Sequence, residues 1–198
     1  NKKKRYEALV LEFIEGEKII QTPTTKEQVK KFFKIYQEYK ANCLNSSWVD
    51  KPERSLSDQV VDNFIKWREI SFKIYPIHPL REPGDQDLID AAVEVLKNGY
   101  LGVKPEFMHG HFSEADLYQV GNQVVILSNL FWSFRPPLYD AVFAYHWFIY
   151  HLNTVAGITP KEVEKQRFLW LGEIKALPEV KKKGEKLLNL ALLERAAA

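Results

Sequence analysis

Apolar and polar positions along the chain follow two different periods. From Tyr6 to Ile14 (YEALVLEFI) the residues are β-rich and apolar on both faces after Ala8, which predicts a mostly buried strand. Glu15-Gly16-Glu17 breaks it. The period then becomes helical. Thr25 and Gln28 have capping-box spacing, and Val29, Phe32, Phe33, Tyr36 and Tyr39 recur on one helix face. Ala41 to Arg54 is polar and irregular, and Ser57 is placed to cap the next helix. The buried face of that helix would be Val60, Val61, Phe64, Ile65, Trp67 and Phe72, with Pro76 and Pro79 ending it. A third helix is expected over Asp85–Asn98. Leu88, Ala91, Ala92, Val95 and Leu96 would point inward, with Gly99 as a left-handed C-cap.

The pattern then shortens. Leu117–Val120, Gly121-Asn122 and Gln123–Leu127 predict a β-hairpin with a two-residue turn. Pro136-Pro137 opens a helix over Leu138–Leu152 that is apolar nearly all round and so belongs at the centre of the fold. Thr159-Pro160-Lys161-Glu162 places an N-cap, Pro at N1 and Glu at N3 before a helix reaching about Ala176. Pro178 opens a last helix with Val180, Leu187, Leu188, Leu190 and Leu192 as its apolar set. Lys181-Lys182-Lys183 reads as a solvated face, and Ala196-Ala197-Ala198 as a cloning scar. The fold class is α+β, mainly α.

Composition narrows this picture. The chain has 198 residues, 45% hydrophobic and 27% charged, with a net charge of +2. Those values fit a globular chain rather than a disordered one and argue against a nucleic-acid partner. The longest mainly apolar run, Ala141–Tyr150, is short of the roughly 20 residues of a membrane span. Nor does the basic start resemble a secretory signal. The single cysteine, Cys43, excludes an internal disulfide and fits the cytoplasm. Aromatic residues are concentrated: Phe131, Trp132 and Phe134 precede the central helix, and Tyr139, Phe143, Trp147 and Tyr150 form a stripe on it. The stripe reads as core. The preceding three fit core packing or a ligand platform equally well. Arg135 is placed to pair with Asp140 or Asp116, or to stay exposed.

The chemistry-bearing residues lie between these elements. The order is Met108-His109-Gly110-His111, then Asp116, the hairpin, Ser128-Asn129, and Pro136-Pro137-Leu138-Tyr139-Asp140 with Ala144. This order resembles the C-terminal lobe of the aminoglycoside and choline phosphotransferase family, which has a protein-kinase-like fold. That family carries His-Gly-Asp, four residues and Asn, then a hairpin, a second Asp, and Pro-x-x-Tyr-Asp-x-x-x-Ala. Leu9 to Gly16 is similar to the family's last N-lobe strand. The resemblance implies residues 1–16 as strand and hinge and residues 17–195 as a kinase-like C-lobe. It also implies ATP held by the hinge backbone of Glu12, Phe13 and Ile14, Mg²⁺, and a small-molecule hydroxyl substrate. His109, Gly110 and Asp140 would support the loop.

The catalytic positions depart from the pattern. His111 stands at the base position, Asp116 at the Asn position, and Ser128 (Asn129 in a register shifted by one) at the second metal Asp. Phosphoryl transfer needs a positioned base and cations, and neutral oxygens offer Mg²⁺ little charge. A lobe with scaffold kept and chemistry replaced is therefore expected: a degenerate, pseudokinase-like homologue. Two alternatives stay open. One is an active phosphotransferase in a longer parent, with His111 as base and Asp116 with Ser128 on the metal. The other is a metal-dependent enzyme using His109 and His111, with Asp116, His146 or His151 as a third ligand. Glu162, Glu164 and Glu173 would suit a cationic substrate or a solvated helix face. An exposed hinge strand at Tyr6–Ile14 would favour a homodimer. The family's Gly-rich loop and phosphate-binding Lys precede the hinge. These 198 residues alone are accordingly expected to show no thermal shift with Mg-ATP; a clear upward shift would contradict that expectation.

Overall fold

The computed structural model describes residues 15–43, 47–74 and 85–196. The strand expected at Tyr6–Ile14, with Glu12, Phe13 and Ile14, and the prolines Pro76 and Pro79 lie outside the described residues. So does any dimer contact through that strand. Among the described residues there are seven α-helices and two small sheets, so the fold is α+β and mainly α. No helix among them is long and apolar enough to cross a membrane.

The first sheet is built on the hairpin. β3 (Leu117–Val120) and β4 (Gln123–Ile126) pair antiparallel, Leu117 opposite Ile126, and β1 (Glu17–Lys18) adds an outer strand with Glu17 opposite Gln119. The break expected at Glu15–Glu17 holds at Glu15 and Gly16 and ends in this short strand, which begins at Glu17. Gly16 is needed for close approach, since a Cβ there would stand 2.9 Å from Gln119 O. The second sheet pairs β2 (Glu106–Met108) with β5 (Ser133–Arg135), Phe107 opposite Phe134. It brackets the loop and hairpin that hold the candidate chemistry.

Local signals fix the helix starts. α1 (Lys26–Cys43) begins with the expected box: Gln28 N–H donates to Thr25 Oγ1 and Thr25 N–H to Gln28 Oε1. It runs through Cys43, past the expected polar break at Ala41. Two acidic residues, Glu106 and Glu179, hold the poorly exposed Lys40 ammonium there. α2 (Leu56–Ile74) is capped by Ser55, which accepts from Asp58 N–H at 3.1 Å. Ser57 instead lies buried inside the first turn and donates to Lys97 O. Val60 and Phe64 are buried on α2, Val61 and Phe72 only partly, while Ile65 and Trp67 are exposed. α3 (Asp85–Gly99) buries Ile89 and Leu96, leaving Leu88 63% and Val95 52% exposed. Its apolar residues cover two adjacent faces, and packing against α2 and α7 (Glu185–Arg195) selects the one through Ile89.

α4 (Tyr139–Thr154) packs between α5 (Pro160–Lys175) and α7, which explains its nearly continuous burial. α5 starts as expected, Thr159 Oγ1 accepting from Glu162 N–H. Its fully buried Trp170 stacks on Phe148 at 4.6 Å and meets Phe32 and Phe33 of α1. Gln166, also fully buried, is donor and acceptor to Thr24, tying the chain before α1 onto α5. The last predicted helix is two, α6 (Pro178–Lys183) and α7, divided at Gly184 with φ 78°. The three lysines of α6 are exposed, as their run suggests.

Gly99 is not a left-handed cap. Its φ is helical, and the positive φ falls at Gly102. Gly99 is a contact point: an added Cβ would run into the Leu190 side chain of α7. Gly99→Ala should therefore destabilise the protein by about 1–3 kcal/mol, the usual cost of overpacking. Leu190→Ala in the same chain should relieve part of that loss, and chemical denaturation of the two single variants and the double variant measures the coupling.

Candidate functional site

The site is the turn between β2 and the hairpin. β2 delivers His109 into the interior. Gly110 follows with φ 79°, and any Cβ there would collide with Phe131 O, so only glycine fits. A 3₁₀ turn at Glu114–Asp116 then leads into β3. Three fixed points hold this path.

The first is Asp140, fully buried at the start of α4. Its Oδ1 accepts from Gly110 N–H at 2.9 Å and its Oδ2 from the Tyr39 hydroxyl at 2.6 Å. Tyr39 O–H in turn accepts from His109 N–H at 2.6 Å. Burial pushes the Asp140 carboxyl above its ordinary pKa, while the bond from Tyr39 pulls it down. The second is His109. Its Nε2 donates to Leu127 O at 2.8 Å and its Nδ1 accepts from His111 N–H at 3.2 Å. Both ring nitrogens are thereby occupied. Burial also lowers the ring's pKa. The third is Asp116, mostly buried. Its Oδ1 accepts from Ser128 Oγ at 2.6 Å. Its Oδ2 accepts from Ser113 Oγ at 2.6 Å and from His111 Nδ1 at 3.0 Å. Burial works to raise the Asp116 pKa, but the bonds from His111, Ser113 and Ser128 outweigh it and hold the carboxyl below its usual value.

The structure thus brings His111, Asp116 and Ser128 together, with Ser128 at φ 60° to turn its hydroxyl onto Asp116. Asn129 is not in that contact: its side chain binds Ile126 O and Trp132 Nε1. His111 lies between Phe131 (5.0 Å, stacked) and Phe143 (4.7 Å), with Trp147 at 5.5 Å. The stripe Tyr139, Phe143, Trp147 is a stack on α4, although Tyr150 at its end is exposed. Of the three aromatics before α4, Trp132 and Phe134 pack on Phe107, and Phe131 covers His111. Arg135 pairs with neither Asp140 nor Asp116; it lies over the Tyr139 ring. Glu162 accepts from Lys165 and Gln166 on its own helix.

Several residues here escape a reading of the sequence. Tyr39 hides within an amphipathic stripe. Ser113-x-x-Asp116 has the spacing of a capping pair and was visible in principle. The buried Glu114, which meets His151 Nδ1 at 2.8 Å across 37 residues, left no sequence signal. Burial raises the Glu114 pKa against the pull of His151.

The donor set does not fit a divalent cation. Among the described residues no three His, Cys, Asp or Glu side chains converge as metal ligands. Both His109 ring nitrogens, one half of the His109/His111 pair considered from sequence, already have partners within the protein. At Asp116 a single carboxylate already accepts three protein donors, and its neighbour Ser128 is a donor to it rather than a second anion. Cys43 is half-buried with its thiol pKa raised by burial, as an inert cysteine is. No family model, curated protein or solved structure matches the chain.

The lowered Asp116 pKa carries a sign. Ionised Asp116 contributes stability above its unfolded pKa, and that contribution is lost as pH falls through the lower folded value. Asp116→Asn should be less stable than the parent at pH 7, with the gap narrowing toward pH 2–3. Tyr39→Phe, which leaves His109 N–H and Asp140 Oδ2 without their shared partner, should cost about 1–3 kcal/mol. Urea denaturation across pH measures both.

Proposed function

We propose that the chain is a kinase-like C-lobe whose catalytic loop keeps its scaffold and has exchanged metal-assisted phosphoryl transfer for binding of a small hydroxyl compound. The single observation that carries this reading is the state of Asp116. It stands where the resembled family holds Mg²⁺, and its carboxylate is filled by Ser113, Ser128 and His111. The Asp140–Gly110–Tyr39 brace supports the scaffold half of the reading. The degenerate positions support the other half. His111 donates Nδ1–H to Asp116, which orients the ring and leaves Nε2 as the nitrogen able to accept from a hydroxyl.

That orientation also favours a second reading. A ring held through Nδ1 by a carboxylate is a general base at Nε2, the arrangement of His–Asp pairs in acyl and phosphoryl transfer. In a longer parent it would take the proton of the attacking hydroxyl. ATP consumption by such a parent, lost in His111→Ala, would select this reading.

A gain-of-function substitution tests the first one. Titration of the parent chain with Mg²⁺ to about 10 mM should leave the Asp116 and Ser128 amide resonances in place, since one carboxylate already bonded to three donors offers a hard cation little. Ser128→Asp sets a second carboxylate against Asp116, should lower Tm without metal, and should recover it with Mn²⁺. Tight Mg²⁺ binding by the unmodified chain would overturn the reading.

A further inference from the structure

One cluster of charged side chains lies beside this loop and is not used by it. Arg135 ends β5 and Arg195 ends α7, and both are half-buried. Neither forms an ion pair or hydrogen bond with a described residue, and the Nε of each is buried without a partner. Rings hold them instead. Arg135 Cζ stands 4.5 Å from the centre of Tyr139, and Arg195 Cζ 5.2 Å from that of Phe143. Tyr139 and Phe143 stack on successive turns of α4 at 6.3 Å, so the two guanidiniums are arrayed along one aromatic column. His111 packs on the same Phe143 ring, and Arg135 Nε passes 3.1 Å from where a Gly110 Cβ would be. The column therefore joins the arginines to the loop.

The one carboxyl that faces both arginines closely enough to sense their charge is Glu194. It is 5% exposed, its Oε2 is buried without a partner, and it makes no ion pair with either arginine. Burial pushes its pKa up to about 7 against the pull of Arg135 and Arg195. Arg135 also senses the buried carboxyl of Asp140 without forming an ion pair with it, so neither guanidinium has a directly bonded counter-charge among the described residues. Buried charge without a counter-charge is unfavourable, and a guanidinium edge presents paired N–H donors that match an oxyanion.

We propose that Arg135 and Arg195 form an oxyanion-binding subsite beside His111, so that the hydroxyl compound taken by this lobe carries a phosphate or carboxylate group. The hydroxyl half rests on the reading above; the anion half stands without it. The charge is opposite to that needed for the cationic amines among the substrates of the resembled family, which two guanidiniums would repel.

The test uses the full 198-residue chain at fixed ionic strength, titrated with inorganic phosphate, acetate, glycerol 3-phosphate and glycerol, and read by thermal shift and by the Trp147 and His111 NMR signals. Phosphate or acetate should raise Tm saturably beyond sodium chloride, and whichever does so more strongly identifies the group. Arg135→Met and Arg195→Met should each weaken that binding by about tenfold, the worth of one charge-assisted contact. Glu194→Gln preserves shape and removes the competing carboxyl. It should tighten phosphate binding several-fold at pH 8, which keeps the test open if an arginine variant fails to fold. Glycerol 3-phosphate should bind more tightly than phosphate, and His111→Ala should erase that preference while sparing phosphate. Phosphate binding without the preference would support the subsite and overturn the hydroxyl reading. No saturable anion effect, or one unchanged in both arginine variants, would overturn the subsite.

Discussion

The carboxylate of Asp140 holds three separated parts of the chain at one point. Through Oδ1 it receives Gly110, through Oδ2 Tyr39, and Tyr39 passes the contact on to His109. α1, the loop after β2 and the start of α4 all converge there. A buried carboxyl is tolerable only where donors replace its lost water, and these two do so. The loop's left-handed step at Gly110 follows from this demand. The N–H must face Asp140 while the chain passes under Phe131 O, and a side chain at that position would prevent it. His109, fixed on both ring nitrogens, then sets where His111 begins.

From that anchor the second polar knot follows. His111 N–H is donated to His109, so the backbone of His111 is fixed independently of its side-chain contacts. The ring can then reach Asp116 while lying between Phe131 and Phe143. The two knots differ in kind. Asp140 sits deep and braces backbone; Asp116 is nearer the surface and gathers side chains. The first explains why the loop has one shape, and the second why the His111 ring has one orientation.

What the chain reveals before folding is what depends on near neighbours. The capping box at Thr25 and the Thr159-Pro160 start were legible because both partners lie within one turn. The hairpin was legible for the same reason. The inward face of α3 was not, since Leu88 and Ile89 are equally apolar and only packing against α2 and α7 decides between them. Gly99 was misread because a glycine after a helix usually relieves backbone conformation, whereas this one relieves a contact with a residue 91 positions on. The convergence of His111, Asp116 and Ser128 was suggested by their order along the chain. Tyr39 and Glu194 had no such cue: each reads as an ordinary helix residue, and its role is created by a distant partner.

The bond between Thr24 and Gln166 also orders events in time. The polar groups of Thr24 are satisfied by a side chain made 142 residues later. On a ribosome, where residues emerge at about 5–20 per second, that partner appears only after most of the described fold has been synthesised. Thr24 must wait through this interval with its polar groups in water. Long-range closure of this kind slows folding and lengthens the exposure of sticky surface. The fully buried amide of Gln166 is therefore also a late-closing clasp on the segment before α1.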